Sequence, residues 1–397
     1  MTATLVAGSA IAQQPPSVQK TPATGIIVSR APHSAMSQRP VAMPVQRPRA
    51  SCDAPAHGSL VVPEMVFLRM VDDLVCLRHS DGSSELLSRG RMAAVSPDGE
   101  DVAYWLKDNG EVHVLSTGTR SDQLTEKLAG GKLNAMVWSR KGRMLAYSVA
   151  EARSIAIRSV DLDSGRRNTI QTQMIGMIES PDPEHVAIVS SNGVERIRVL
   201  DGRRELVVQV ISPDTASYSP SGELIGILAS PPPASSPSAA PSADNDDDSP
   251  DCTGGTFSLK VHKIDSAQTF DIPFPDGFDN VLDFAFSPDD RNVAVTFGVA
   301  GCDYPGDVAR VYLVSLPDLK MRPISPADHL SLRVEWTPDA KTLIYQDYTG
   351  SNSPLVAVDL STGIVSRLTN PGDDGPDEWL AWRAGTPATL TSEQSRH

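Results

Sequence analysis

The 397-residue chain has only four cysteines, 5% aromatic residues and no Asp or Glu in its first 52 positions. No unbroken apolar run reaches the roughly 18 to 20 residues that a membrane-spanning helix needs. Neither Cys-x-x-Cys nor His-Glu-x-x-His occurs, and no glycine-rich phosphate loop opens a helix. The eight histidines, His33, His57, His79, His113, His185, His262, His329 and His397, show no pair at metal-ligand spacing. A serine hydrolase of the α/β type needs a Gly-x-Ser-x-Gly elbow, which is missing. The expectation is a chain with no catalytic residues, no metal and no cofactor.

Charge narrows the partners. The net charge is −14, against coating of nucleic acid or anionic membrane. It is also uneven: Lys20, Arg30, Arg39, Arg47 and Arg49 are the only charged residues in the first 52, so a basic stretch precedes an acidic body. Thr2 to Ala12 is small and apolar, and Ala10-Ile11-Ala12 has the small-x-small form of a secretory cleavage site, so residues 1–12 read as a signal-peptide remnant. Residues 13–58 are rich in Pro, Gln, Ser and Arg without apolar periodicity and read as a disordered arm. Residues 386–397 read as a flexible tail, and a periplasmic or secreted location follows from the leader.

A repeat runs through the remainder. Ser96-Pro97-Asp98-Gly99, Ser139-Arg140-Lys141-Gly142, Ser180-Pro181-Asp182-Pro183, Ser219-Pro220-Ser221-Gly222, Ser287-Pro288-Asp289-Asp290 and Thr337-Pro338-Asp339-Ala340 are copies of one turn. Six to eight residues beyond each first position stand Val102-Ala103-Tyr104, Leu145-Ala146-Tyr147, Val186-Ala187-Ile188, Ile225-Gly226-Ile227, Val293-Ala294-Val295 and Leu343-Ile344-Tyr345. Three successive apolar residues predict a strand covered on both faces, and the small middle residue predicts close approach of a neighbouring sheet. Before the turn, positions −1 and −3 are apolar with period two, Glu179 being the one exception. Each unit holds four antiparallel strands, the content of a propeller blade.

Met65 to Met70, Leu74 to Arg78 and Ser84 to Ser88 supply a second, third and fourth strand without a first, and Leu380-Ala381-Trp382 fits the missing first-strand column. The fold class is therefore all-β: a seven-bladed β-propeller over 59–385, closed by pairing of N- and C-terminal strands, with six blades as the alternative. A disordered insertion is expected at about 229–254.

The Ser-Pro-Asp-Gly turn with its aliphatic-Ala-aromatic strand, followed by a fourth strand ending in Gln123-Leu124-Thr125 or Arg367-Leu368-Thr369, resembles the WD-like repeat of TolB-type propellers. The substantial α/β domain that precedes the TolB propeller has no counterpart in the arm. The resemblance implies a monomeric propeller that binds another envelope or secreted protein. Propellers of prolyl-oligopeptidase-like peptidases and of pectic lyases are similar too, so the alternative is a carbohydrate- or small-ligand-binding propeller. Trp105, Phe297, Tyr304 and Tyr348 stand at the ends of second strands or in the connections after them, and are the candidate binding aromatics. Cys252 and Cys302, in two enlarged connections of consecutive blades, are the favoured disulfide. Cys52 with Cys76 is the weaker pair, Cys76 reading as a small buried thiol. The Asp-rich run from Asp244 to Asp251 reads as a solvated acidic loop and not a calcium site.

Overall fold

Blade architecture follows directly from the repeat. The computed structural model describes Cys52, 60–69, 72–128, 132–140, 143–151, 154–230, 256–266, 268–299, 308–349 and 353–369, together with the backbone of Asp377–Trp382. These belong to one compact unit, Arg49–His397. Among the described residues there are seven four-stranded antiparallel sheets, and no helix is long and apolar enough to cross a membrane.

The chain first lays down β1 (Met65–Arg69), β2 (Leu74–Arg78) and β3 (Ser84–Arg89), to which the last strand returns. Blade 1 is β4 (Met92–Val95), β5 (Asp101–Leu106), β6 (Glu111–Ser116) and β7 (Asp122–Lys127). Blade 2 is β8 (Lys132–Trp138), β9 (Met144–Ala150), β10 (Ile155–Asp161) and β11 (Arg167–Thr172). Blade 3 runs β12 (Gly176–Ile178), β13 (His185–Ser190), β14 (Gly193–Arg198) and β15 (Arg204–Gln209). Blade 4 runs β16 (Pro213–Tyr218), β17 (Leu224–Ala229), β18 (Ser258–Lys263) and β19 (Thr269–Asp271). Blade 5 is β20 (Asn280–Phe286), β21 (Asn292–Gly298), β22 (Ala309–Ser315) and β23 (Met321–Pro323), and blade 6 is β24 (Ser331–Trp336), β25 (Thr342–Asp347), β26 (Leu355–Asp359) and β27 (Val365–Arg367). β28 (Asp377–Trp382) joins β1 in the order β28-β1-β2-β3, completing blade 7 from both ends of the chain.

The repeated turn has a physical cause. In Ser96-Pro97-Asp98-Gly99 the Ser96 hydroxyl donates to Asp98 Oδ1 and accepts from the Asp101 amide at 2.9 Å, while Gly99 takes a φ of 71°. Ser287 with Asp289 and Thr337 with Asp339 repeat this lock. There Asp290 and Ala340 occupy the left-handed position at φ 59° and 58°, which glycine would hold without strain.

Packing is also repetitive. The core is divided into seven clusters, each filled by two adjacent blades, so every second strand is sandwiched between its neighbours. The small central residues Ala103, Ala146, Ala187, Gly226 and Ala294 are buried between those faces. At Gly226 an added Cβ would lie 2.3 Å from Phe284 of blade 5. Indole donors staple blades together: Trp138 Nε1 donates to Ala94 O and Trp336 Nε1 to Ala285 O, both at 3.0 Å.

The cysteine expectation is corrected. Cys76 is buried on β2, but it is bonded to Cys52 with a Cα–Cα distance of 5.9 Å. Cys52 therefore is not part of a free arm. With Leu60 and Val62 it packs on Phe67, Leu74, Leu355 and Leu368, in the seam between blades 6 and 7. A small apolar thiol is easily buried, but only the fold brings residue 52 to it. Cys252 and Cys302 lie outside the described residues, as do residues 1–50.

Candidate functional site

Strand direction gives the ring two faces. First strands run into the Ser-Pro-Asp-Gly turns, which define a turn face; the second-to-third connections and the links between blades share the other, the link face. Hydrogen bonds stitch the link face together. Ile175 N donates to Val189 O, Tyr348 N to Leu330 O and Val281 N to Phe257 O, at 2.7, 2.7 and 2.9 Å.

The expected aromatics divide on this frame. Trp105 is only 6% exposed and packs between blades 1 and 2 with Leu133, Met136 and Trp138. Phe297 is 0% exposed, beneath Phe274, Phe278 and Tyr312. Neither ring is accessible to a partner, because a second strand is covered by neighbouring blades along its whole length. Tyr348 is half-buried on the link face beyond β25, and Tyr304 lies outside the described residues.

What the link face does expose was missed by sequence reasoning. Ile175 precedes β12, Ile211 (71% exposed) precedes β16, and Phe274 (39% exposed) precedes β20. Val299 and Val308, also exposed, flank the second-to-third connection of blade 5. These residues fall on links and connections of blades 3, 4 and 5, hence on consecutive sectors of one face. Phe274 stands between Pro273 and Pro275, which restrict the backbone carrying the ring. The available signal was an apolar residue beyond a fourth strand, where polar turn residues are the rule.

A second constellation surrounds the axis. First strands of neighbouring blades contact one another, β4 with β8, β8 with β12, β12 with β16 and β20 with β24, leaving their ends around the axis. Arg140, in the turn after β8, reaches past blade 3 and donates to Tyr218 O at 3.0 Å, Pro220 O at 3.1 Å and Ser219 O of blade 4. Glu179 of the intervening blade lies 3.7 Å from its Nε, which explains the one charged residue in an otherwise apolar column.

Asp283 and Glu335 come from blades 5 and 6, each at or inside a β-bulge. Asp283 accepts from the amides of Phe284 and Val334 at 2.8 and 3.1 Å. Enclosure by protein pushes the Asp283 carboxyl up to about 6. Enclosure and, next, the Asp283 charge push Glu335 up to about 8, with Glu179 adding to the effect across the ring. Enclosure also raises Glu179, opposed by the Arg140 guanidinium. The Glu179 side chain nevertheless keeps 44% of its surface accessible, and Asp283 and Glu335 are half-buried, so none of the three sits in the apolar core. Among the described residues no group of three His, Cys, Asp or Glu side chains is placed to hold a metal ion.

No family model and no curated protein matches the chain. Solved structures do. The β-propeller domain of the Trilobed protease from Pyrococcus furiosus, described as having an open velcro topology, is 14% identical with a TM-score of 0.54, over 76% of this chain and 88% of that one. An oligogalacturonate lyase in complex with manganese is 10% identical with a TM-score of 0.52, over 76% of this chain and 84% of that one. TolB from Acinetobacter baumannii is 14% identical with a TM-score of 0.46, over 77% of this chain and 78% of that one. The first two, a protease domain and a lyase, differ in activity and share an architecture. The likeness establishes the fold alone, that of a β-propeller, and the seven sheets of this chain give it seven blades.

Proposed function

We propose that this propeller is a non-catalytic binding platform for another envelope or secreted protein, engaged through the link face of blades 3 to 5. The observation that carries the reading is the run of Ile175, Ile211, Phe274, Val299 and Val308 on adjacent sectors of one face. Single exposed apolar residues are ordinary, whereas several on one face mark an interaction surface. Phe274 has the character of an anchor: a rigid ring buries a large area at small entropic cost, and its proline neighbours reduce that cost further. Export to the periplasm or beyond is supported by the Cys52–Cys76 bond, since structural disulfides persist in oxidising compartments.

The test is affinity capture from envelope extract with the wild-type protein and an Ile211→Ser/Phe274→Ser variant. Ile211 is exposed, whereas Phe274 also covers Phe297, so capture is compared between proteins of equal melting temperature, with Ile211→Ser alone as the second variant. Loss of a captured protein, by more than about 1 kcal/mol in a subsequent titration, is expected. Equal capture by the two proteins contradicts the reading, and turnover of an oligogalacturonide or peptide by the pure protein replaces it with an enzymatic one.

A further inference from the structure

The same face has a distinctive charge composition. Across its described links and connections on blades 3 to 6 (173–176, 191–192, 209–215, 272–280, 324–330 and 347–349) the charged residues are Asp214, Asp276, Asp279, Asp328 and Asp347, without a Lys or Arg. The equivalent stretches of blades 7, 1 and 2 are of mixed sign, exposing Arg89, Arg91, Lys107 and Lys132 beside Asp72, Asp108 and Glu151. The link face thus has an acidic, apolar arc, bordered by Arg310, whose Nε donates to Ser325 O at 2.9 Å, and a remainder of mixed charge. Asp347 is engaged by His329 Nδ1 at 3.0 Å. Asp214, Asp276 and Asp328 are exposed and have no counter-charge among the described residues.

Carboxylate and apolar groups alternate along this arc. Asp214 follows Ile211 by three residues, and Asp276 follows Phe274 by two. An anionic polymer or membrane is repelled here, and a neutral apolar partner leaves the carboxylates to be desolvated without compensation. A Lys or Arg side chain satisfies both halves: its alkyl stem covers the ring or aliphatic group while its head reaches the carboxylate.

We infer that the link face of blades 3 to 6 receives a cationic, amphipathic polypeptide segment, its Lys or Arg heads meeting Asp214, Asp276 and Asp328 and its apolar groups covering Ile211 and Phe274. This rests on the platform reading above and names the partner's chemistry.

The probes are labelled peptides alternating Leu with Lys, Leu with Ser or Leu with Glu, titrated against the full chain at low and high salt. The Lys peptide is expected to bind, to weaken as salt rises, and to bind about tenfold less tightly to Asp214→Asn/Asp276→Asn at low salt. Asp163→Asn/Asp265→Asn, which removes two exposed charges near the turn face, is expected to leave binding unchanged. Loss of affinity in both charge pairs alike means attraction by net charge and overturns the site. If the Ser and Glu peptides bind as well as the Lys peptide, and all three depend on Ile211 and Phe274, the platform stands and the cationic partner falls. If envelope capture ignores Ile211→Ser/Phe274→Ser, the platform itself falls. Self-association that competes with the Lys peptide assigns the arc to a second copy instead. Affinity that rises when Arg30, Arg39, Arg47 and Arg49 are changed to Gln assigns it to the chain's own basic stretch.

Discussion

Met65 pairs with Trp382, so the opening residue of the first strand and the final residue of the last lie side by side in one sheet. β1 has β2 on one flank and β28 on the other, so it is an interior strand of a four-stranded blade like the other six only while β28 stays in place.

Removing residues 377–397 deletes that strand and leaves the backbone groups of β1 facing solvent. A loss of several kcal/mol is expected, with aggregation through the exposed edge. Thermal unfolding with light scattering measures both, and an unchanged melting temperature contradicts closure by β28.

The Cys52–Cys76 bond closes a loop of 24 residues of sequence separation, worth about 3 to 4 kcal/mol in the chain-entropy model. Its effect is local as well, because Cys52 and Leu60 pack in the seam where Arg78 Nε donates to Leu368 O of blade 6 at 3.1 Å and Leu60 N to Ser366 Oγ at 3.2 Å. Reduction, or Cys52→Ser/Cys76→Ser, is therefore expected to lower the melting temperature and to speed amide exchange first in blades 6 and 7. Uniform exchange around the ring after reduction argues against a seam clasp.

Glu335 carries a testable pH signature. Its carboxyl is raised from about 4.5 in the unfolded chain to about 8 in the fold, so between those values the native state holds a proton that the unfolded state has released. Stability from this group is greatest at low pH and falls as pH rises through that window; Asp283 acts likewise between 3.8 and about 6. Glu335→Gln is expected to flatten the slope and to stabilise the protein above pH 8 by about 1 to 2 kcal/mol, discounted because the group retains contact with water. Melting curves at pH 5 and 9 decide it: parallel behaviour of variant and wild type refutes the coupling.

Gly226→Ala places a methyl group against the Phe284 ring, between blades 4 and 5. A cost of about 1 to 3 kcal/mol is expected, partly recovered by adding Phe284→Leu. Additive effects of the two substitutions mean that the methyl is accommodated elsewhere.

The blades were legible because their determinants are local. A Ser or Thr that caps its own turn, an Asp two residues on and a three-residue apolar strand are read within ten positions. Closure was legible as well, since Leu380-Ala381-Trp382 repeats a column seen in the other blades. The candidate site was not. Trp105 and Phe297 satisfy a rule about aromatics near loops, but exposure depends on how far each neighbouring blade extends, which no local pattern encodes. Ile211 and Phe274 lie in links with no repeating motif. The Cys52–Cys76 pair was ranked second for a similar reason: residue 52 precedes the first strand, and nothing in its surroundings indicates that it packs against β2. Glu179 was visible as an exception, but its meaning required Arg140 from one blade and the Ser219 carbonyl from another.

The shared blade also imposes an order on assembly. Cys52, Cys76 and the three strands β1–β3 precede blades 1 to 6 in the chain, whereas β28 follows them, so three quarters of a sheet keeps an open edge until the chain has travelled the full circle. The Cys52–Cys76 bond ties the segment before β1 to that three-stranded fragment, and docking of β28 against β1 is the event that closes the ring.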